Sequence, residues 1–143
     1  MEAVTLIAHL LGGRTVLGRR VRTWADLERV VREGLPKRSL QLVARHVVEP
    51  GTAPNELVYR VVPQATFKRR DRLSAEESER TERLARVAAL ADVMWEDEAE
   101  SRAFLNRSHP LLGGETPLNV ARTELGARRV ERLLHDAEHG LAI

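Results

Sequence analysis

Apolar residues recur every three or four positions through most of the chain, which is the spacing of one face of an α-helix. Thr23, with Asp26 three residues later, has the pattern of a helix start, and Gly34 is suited to end that helix. Pro36 favours the first turn of the next helix. The apolar faces of these two helices are then Trp24, Leu27, Val30 and Val31, followed by Leu40, Val43, Ala44 and Val47.

Two short helices are predicted further along the first half of the chain. Proline and glycine in the segment 49–54 indicate a loop. The residues after it favour helices over 55–62 and 64–70, because Pro63 ends the first of them. The second helix is basic at its end. Two short helices joined by a tight turn, the second one basic, correspond to the plan of a helix-turn-helix motif.

The second half of the chain carries clearer helix signals. Ser74 and Glu77 form a capping-box pattern ahead of a long helix. A shorter helix is predicted over 97–106 and a final one over 127–139, which Gly140 is suited to end. The residues expected to be buried are Leu84, Val87, Ala88, Ala91 and Met94 or Trp95 in the first helix, Ala103 and Phe104 in the second, and Val130, Leu133, Leu134 and Ala137 in the third.

One segment does not follow the helical pattern. Between residues 14 and 22, β-branched side chains around Gly18 indicate a short hairpin or a plain loop. The predicted fold class is therefore all-α. The change from a basic to an acidic half divides the chain into two candidate domains, residues 1–73 and 74–143.

The charge balance separates the two halves. The 143 residues contain 23 Lys and Arg and 21 Asp and Glu, a net charge of only +2. Residues 1–72 carry 14 basic and 7 acidic side chains, whereas residues 73–143 carry 9 basic and 14 acidic ones. A basic half is a candidate for phosphate backbones, and an acidic half joined to it suggests a different partner.

Composition excludes several classes of protein. The chain has no cysteine, which rules out disulfide scaffolds, thiolate zinc sites and cysteine nucleophiles. The longest uncharged run near the start is far shorter than the roughly 18 residues that a membrane span needs, and no signal-peptide pattern precedes it. Five aromatic residues are too few for a platform that stacks single-stranded nucleic acid. We expect a cytoplasmic protein that makes no membrane contact.

No pattern in the chain favours catalysis. Neither Gly-Gly pair precedes the Lys-Ser or Lys-Thr of a phosphate-binding loop, and no serine lies in a nucleophile-elbow sequence. The glutamates of the segment 76–82 alternate with arginines, as on a solvated helix face with ion pairs. We therefore expect no catalytic residue, no cofactor and no enzymatic activity.

Two histidines near the end of the chain have part of the spacing of metal ligands. His135 and His139 lie one helical turn apart, as zinc ligands do, but Asp136 occupies the position where peptidase motifs have glutamate. A third ligand is expected only from upstream, because four residues follow His139. In the last turn of a helix both imidazoles also interact favourably with the helix dipole. We expect no metal site here.

The candidate DNA-binding residues follow Pro63. They are Thr66, Lys68, Arg69, Arg70 and Arg72. Arginine binds guanine edges or phosphates, lysine binds phosphates, and threonine donates to a backbone oxygen. The alternative is a solvated basic cap on an ordinary helix bundle.

A series of short motifs in the second half points to a known family. They are Leu112-Gly113-Gly114, Thr116-Pro117-Leu118, Thr123-Glu124, Gly126-Ala127, Val130-Glu131, Leu133-Leu134 and Glu138-x-Gly140. In this order they resemble the toxin-binding domain of Xre/MbcA/ParS-type antitoxins. Residues 73–87 resemble the linker helix of these antitoxins, and residues 66–70 resemble the end of their Xre-like helix-turn-helix.

The resemblance implies a fold and a function. It implies an N-terminal Xre-like helix-turn-helix domain, residues 1–73, joined to a small C-terminal helical toxin-binding domain, residues 74–143. Such antitoxins pair with RES-domain toxins, which are similar to ADP-ribosyl transferases and deplete NAD. The C-terminal domain covers the active site of the toxin, while the N-terminal domain dimerises and represses the shared operon. The implied partners are the RES-domain toxin, operator DNA and a second copy of the chain, in a hetero-oligomer with the toxin.

The candidate toxin-binding residues lie at the end of the chain. They are Arg128, Arg132, His135, His139, Leu141 and Ile143. Leu141 and Ile143 can fill apolar surface on the toxin, and the carboxylate of Ile143 can replace a phosphate oxygen for an arginine. The alternative is that this tail frays, as most chain termini do.

Two other functions fit the same residues. One is a stand-alone helix-turn-helix transcriptional regulator with a C-terminal protein-interaction domain. The other is a partner-binding protein whose first half no longer binds DNA. For a dimer formed by the first half, the candidate contacts are Trp24, Tyr59 and the apolar residues before Gly13.

Overall fold

Helices make up the whole regular structure of residues 2–143, the part of the chain that the computed structural model describes. The α-helices are α1 (Ala3–Leu10), α2 (Gly13–Leu17), α3 (Trp24–Glu33), α4 (Lys37–Val47), α5 (Pro54–Val61), α6 (Gln64–Arg69), α7 (Ala75–Trp95), α8 (Glu98–Asn106), α9 (Pro117–Val120) and α10 (Glu124–Glu138), and Pro110–Leu112 form one 3₁₀ turn. The all-α fold class is confirmed.

The helix starts predicted from capping residues are confirmed. Thr23 accepts a hydrogen bond from the Asp26 backbone N–H at 3.1 Å, and Ser74 accepts one from Glu77 at 3.1 Å. Both capping boxes are complete, because each acid also accepts from the backbone of its capping residue. The final helix begins three residues earlier than expected, since Thr123 caps the Gly126 N–H at 3.0 Å.

The prediction of a hairpin or loop over residues 14–22 is wrong for its first part. Residues 13–17 form the single-turn helix α2. Gly12 and Gly18 bound it with left-handed φ angles of 113° and 76°, which side chains rarely adopt. A Cβ on Gly12 would lie 2.4 Å from the Cβ of Val16, so only glycine permits this tight entry. Leu17 and Val21 are buried, and they hold the segment against the core.

Several apolar residues of α1 and its C-cap, Leu11, belong to the core, although by sequence they are candidates for a dimer contact. Val4, Ile7 and Leu11 are buried within their own chain. The carbonyl of Leu11 also accepts a hydrogen bond from the buried Ser39 hydroxyl at 2.7 Å. Val4, Ile7 and Leu11 are therefore not free to contact a second copy, whereas Leu6 and Leu10 are only partly buried, and the dimer stays a prediction.

Helix α7 is the central element of the fold. It packs against α1, α3, α4 and α5 from the first half and against α8 and α10 from the second half. Leu84, Val87, Ala88 and Ala91 are buried as predicted, and Ala85 and Ala89 are buried as well. Small residues on almost every side of α7 let helices of both halves approach it. The division of the chain between residues 73 and 74 stays a prediction.

A short extended pairing fixes the entrance to α7. The Leu73 N–H donates to the Leu35 carbonyl at 2.8 Å, and the Lys37 N–H donates to the Asp71 carbonyl at 3.1 Å. The Leu35 N–H donates to the buried Ser78 hydroxyl at 2.8 Å. A Cβ on Gly34 would lie 2.6 Å from the Leu73 carbonyl oxygen, so this close approach requires glycine. The end of α6 is thereby held beside the start of α4.

Several of the residues expected in the core lie at its edge. Ala103 and Ala137 are only half-buried, and in α8 the buried positions are Ser101, Phe104 and Leu105. Trp95 is half-buried too, and its ring stacks on Phe104 with centroids 4.5 Å apart. The buried face of α8 therefore consists of residues 101, 104 and 105 and does not include Ala103. Across residues 2–143, no helix combines the length and the apolar character that crossing a membrane requires.

Candidate functional site

Helices α5 and α6 form the pair that the sequence predicts for a helix-turn-helix. Val62 and Pro63 separate the two helices, and Val58 and Val62 are buried beneath them. The ring of Phe67 in α6 is buried and meets Tyr59 of α5 edge to face, with centroids 6.0 Å apart. The two helices are thus held together by their own apolar side chains, and the opposite side of α6 is left exposed.

Lys37, at the start of α4, adds a charge at the end of α6. Its ammonium group donates to the Phe67 carbonyl at 3.1 Å and lies 5.0 Å from the centroid of the Phe67 ring. A cation at the C-terminal end of a helix is electrostatically favourable. The sequence analysis missed Lys37, because only the long-range pairing of residues 35–37 with 71–73 brings it to α6.

The candidate DNA-binding residues of α6 itself are accessible. Lys68 and Arg69 are exposed, and Thr66 is half-buried. The Arg69 guanidinium donates to the carbonyl of Ala65, one turn earlier, at 3.3 Å. Within residues 2–143 neither Lys68 nor Arg69 forms an ion pair with an acid. Their charges are therefore available to a negatively charged partner.

The two arginines that follow α6 already have partners within the chain. Arg70 makes two hydrogen bonds to the carboxylate of Glu77, at 2.8 and 3.1 Å, and Arg72 donates to the Gly34 carbonyl at 2.8 Å. Burial raises the pKa of Glu77, but hydrogen bonds from Ser74 and Arg70 outweigh it and leave the pKa below its ordinary value. Arg70 and Arg72 thus anchor the segment after α6 to the start of α7 and to the end of α3.

Four of the candidate toxin-binding residues lie on α10 or at its end. Arg128, Arg132 and His135 line one shallow groove, and the ring of His139 lies 4.2 Å from that of His135. Each of the two arginines forms an ion pair with an acid one helical turn away. Arg128 pairs with Glu124 at 3.3 Å, and Arg132 pairs with Asp136 at 3.4 Å. These residues are exposed, as are Leu141 and Ile143 beyond the helix.

A charged cluster beneath this face holds α10 on α7. Arg86 of α7 lies 2.9 Å from Glu124, 3.5 Å from Glu131 and 3.8 Å from Glu82. Burial under α10 raises the pKa of Glu82, although the charge of Arg86 acts against it. The expectation of a solvated face over 76–82 is therefore wrong at Glu82, whose side chain is only 14% exposed.

Two exposed leucines were missed by the sequence analysis. Leu111 of the 3₁₀ turn is 60% exposed, and Leu125 in the first turn of α10 is 74% exposed. Leu125 fell outside the predicted helix, which was placed from residue 127 onward. Exposed large apolar side chains are candidates for contact with another protein.

Two family models match the chain. The antitoxin Xre-like helix-turn-helix domain matches residues 26–86, and the antitoxin Xre/MbcA/ParS C-terminal toxin-binding domain matches residues 90–140. The chain belongs to the Xre/MbcA/ParS antitoxins. These domains bind DNA and a toxin, and neither of them belongs to an enzyme family. No curated protein matches the chain in a comparison of sequences.

The boundary between the two matched domains falls inside a helix, α7. The helix-turn-helix match continues through residue 86, so it includes more than half of α7. The toxin-binding match begins within the last turns of that same helix. Helices α1 and α2 precede both matches, yet α1 packs against α7. The family assignment confirms the resemblance that the sequence indicated.

A half-buried polar network joins the two matched domains of the antitoxin. His46, near the end of α4, lies 2.7 Å from Asp92 of α7, and the hydroxyl of Ser101 in α8 donates to the same carboxylate at 2.6 Å. Helix α8 also binds the end of α4, since Arg102 donates to the His46 carbonyl at 3.1 Å and Asn106 to the Val47 carbonyl at 2.7 Å. The sequence showed no signal for this network.

The last turn of α10 gathers three potential metal ligands. One ligand atom from each of His135, Glu138 and His139 lies within 4.8 Å of the others. The third ligand, expected from upstream of His135, is instead available from Glu138, three residues further along the helix. The antitoxin thus carries an exposed N, O, N set of donor atoms beside its candidate toxin-binding face.

Proposed function

We propose that this antitoxin neutralises a RES-domain toxin, which depletes NAD, and represses its own operon by binding operator DNA. The observation that carries the proposal is the presence of an Xre-like helix-turn-helix domain and a toxin-binding domain on one chain. The resemblance of residues 104–140 to antitoxins of RES-domain toxins supports this class of partner. An antitoxin that binds operator DNA and such a toxin acts in the cytoplasm, which is therefore part of the proposal.

On the DNA side, Lys68 and Arg69 contact phosphates or guanine edges directly, and Thr66 donates to a phosphate oxygen. Their exposure and their lack of acidic partners within residues 2–143 support this role. Arg70 and Arg72 set the position of α6 through Glu77 and Gly34, and they present their remaining N–H groups to the same DNA backbone.

A homodimer supplies two recognition helices for two half-sites about one turn of duplex apart. Trp24 at the start of α3 is 56% exposed, and it is the dimer contact that the packing of the monomer supports best. Tyr59 is half-buried against Phe67, so it offers less surface. This dimer, with toxin bound to each C-terminal domain, forms the hetero-oligomer.

On the toxin side, the face of α10 that carries Arg128, Arg132 and His135 covers the active site of the toxin. Arg128 and Arg132 supply hydrogen-bond donors, His135 and His139 supply further polar contacts, and Leu141 and Ile143 fill apolar surface in the toxin pocket. Their exposure supports the assignment, and the ion pairs of Arg86 behind α10 hold that helix against α7. Leu111 and Leu125 extend the apolar contact area.

The deciding experiment is an assay of NAD consumption by the protein encoded beside the antitoxin. We expect the intact antitoxin to copurify with it and to abolish the activity. Arg128→Ala combined with Arg132→Ala should weaken inhibition at least about tenfold, whereas Arg29→Ala, an exposed arginine of α3, should not. Removal of residues 141–143 should cost at least about 2 kcal/mol of binding if both large apolar side chains are buried in the complex.

Other results would identify one of the alternatives. A chain that shifts operator DNA but leaves NAD consumption unchanged is a stand-alone regulator. A chain that inhibits the toxin but never shifts operator DNA has a first half that no longer binds DNA. Equal inhibition with and without residues 141–143 would show that the tail does not contribute.

A further inference from the structure

The end of α10 carries a compact set of donor atoms that neither matched domain explains. His135, Glu138 and His139 occupy positions i, i+3 and i+4, which share one face of a helix. One donor atom of each lies within 4.8 Å of the other two, and all three side chains are exposed. This spacing allows one ion to touch all three groups after small side-chain rotations.

The backbone at this point is well defined by its own hydrogen bonds. Gly140 has a left-handed φ of 83°, its N–H donates to the Ala137 carbonyl at 3.0 Å, and the Leu141 N–H donates to the Asp136 carbonyl at 2.9 Å. This is the Schellman arrangement that closes a helix. The turn that carries the three donors is therefore fixed, although it is exposed.

One imidazole is already oriented for metal binding. Nδ1 of His139 lies 2.9 Å from the carbonyl oxygen of His135. A carbonyl oxygen only accepts hydrogen bonds, so Nδ1 carries the proton and Nε2 keeps its lone pair. Histidines that ligate metals commonly donate their other ring N–H to a carbonyl or a carboxylate in this way.

The neighbouring acid does not compete for the site. Asp136 pairs with Arg132 at 3.4 Å, one turn back along the helix. Glu138, in contrast, forms no ion pair within residues 2–143. Its carboxylate is therefore available as the third ligand, and no fixed cation of the chain has to be displaced from it.

We propose that His135, Glu138 and His139 bind a divalent transition-metal ion of the zinc class. Two imidazole nitrogens and one carboxylate oxygen are a ligand set that zinc accepts, with a further position left for water or for a partner's side chain. Calcium and magnesium prefer sites made only of oxygen ligands, so they bind this set poorly. The ion cross-links the last turn of α10.

The test is calorimetric titration of the untagged, full-length antitoxin with zinc chloride. We expect one zinc ion per chain and no comparable binding of magnesium. His135→Asn, Glu138→Gln and His139→Asn should each weaken zinc binding at least about tenfold, as the loss of one of three ligands implies. The matched controls are His9→Asn, at the exposed end of α1, and Glu79→Gln, on α7, which should bind zinc like the unmodified chain.

A second measurement locates the ion. Amide NMR signals of residues 135–140 should shift on addition of zinc, while those of α1 should not, and circular dichroism should show that each variant remains folded. The proposal is overturned if the unmodified chain binds no zinc, or if His9→Asn weakens binding as much as His139→Asn does. None of these readouts depends on the toxin or on DNA.

Discussion

At the scale of single residues, the pair His46 and Asp92 determines a pH dependence of stability. The hydrogen bond that the His46 imidazole donates to the Asp92 carboxylate raises the pKa of His46 above its ordinary value of 6.5, against the effect of burial. Its stabilisation is therefore complete below pH 6.5 and is lost as the pH rises through the folded-state pKa. Burial raises the pKa of Asp92, but hydrogen bonds from His46 and Ser101 lower it below 3.8 in total. The stabilisation that comes from ionised Asp92 is therefore lost as the pH falls through the folded-state pKa of Asp92.

We predict that Asp92→Asn destabilises the antitoxin most between about pH 4 and pH 6.5. In that range the substitution removes a charge-assisted hydrogen bond, worth about 1.5–3 kcal/mol. Urea denaturation at several pH values measures the difference from the unmodified chain, and the difference should shrink at pH 9. Asp71→Asn, at an exposed aspartate, is the control and should show little difference at any pH. An equal loss of stability at pH 5 and pH 9 would contradict the role of the ion pair.

At the scale of helices, the exposed Lys68 and Arg69 at the end of α6 differ from Arg70 and Arg72 just beyond it, because the latter two have hydrogen-bond partners within the chain. Lys68→Ala with Arg69→Ala should weaken operator binding and lower the log–log salt dependence by about 0.9 for each lost phosphate contact, without unfolding the chain. Arg70→Ala should instead lower the free energy of unfolding, because the half-buried Glu77 loses its bidentate partner. Gel shifts over a range of salt concentrations and thermal unfolding separate the two effects. An unchanged salt dependence in the double variant would exclude α6 as the DNA contact.

Helices could be predicted from the sequence where neighbouring residues determine them. They could not be predicted where contacts between distant parts of the chain determine them. Thr23 and Ser74 start helices through bonds to residues three positions away, which a sequence displays directly. Helix α2 was missed because it depends on the left-handed conformations of Gly12 and Gly18 and on packing against the core. The clustering of the candidate DNA-binding residues is likewise visible in the sequence. The partners of Arg70 and Arg72, Glu77 and Gly34, are not, because the fold brings them together.

At the scale of the whole molecule, α7 couples the two domains of the antitoxin. It completes the core of the helix-turn-helix domain from one side and carries α8 and α10 on the other. The contacts of α4 with α8, through Arg102 and Asn106, reinforce the connection. Helix α7 therefore contacts α10 of the toxin-binding domain and also α3, α4 and α5 of the first half of the chain.

The dependence of the first half on α7 leads to the last prediction. A fragment of residues 1–73 lacks the Ser78 hydroxyl that binds the Leu35 N–H, and it exposes the faces of α1, α3 and α4 that α7 covers. Burying that apolar surface contributes about 25 cal/mol per Å², so its loss should leave the fragment without a cooperative fold. Residues 1–95 keep all of α7 and should unfold cooperatively. Circular dichroism with thermal melting compares the two fragments. Cooperative melting of residues 1–73 at the temperature of the full chain would show that the first half folds independently of α7, and that the boundary at residues 73 and 74 is a true domain boundary.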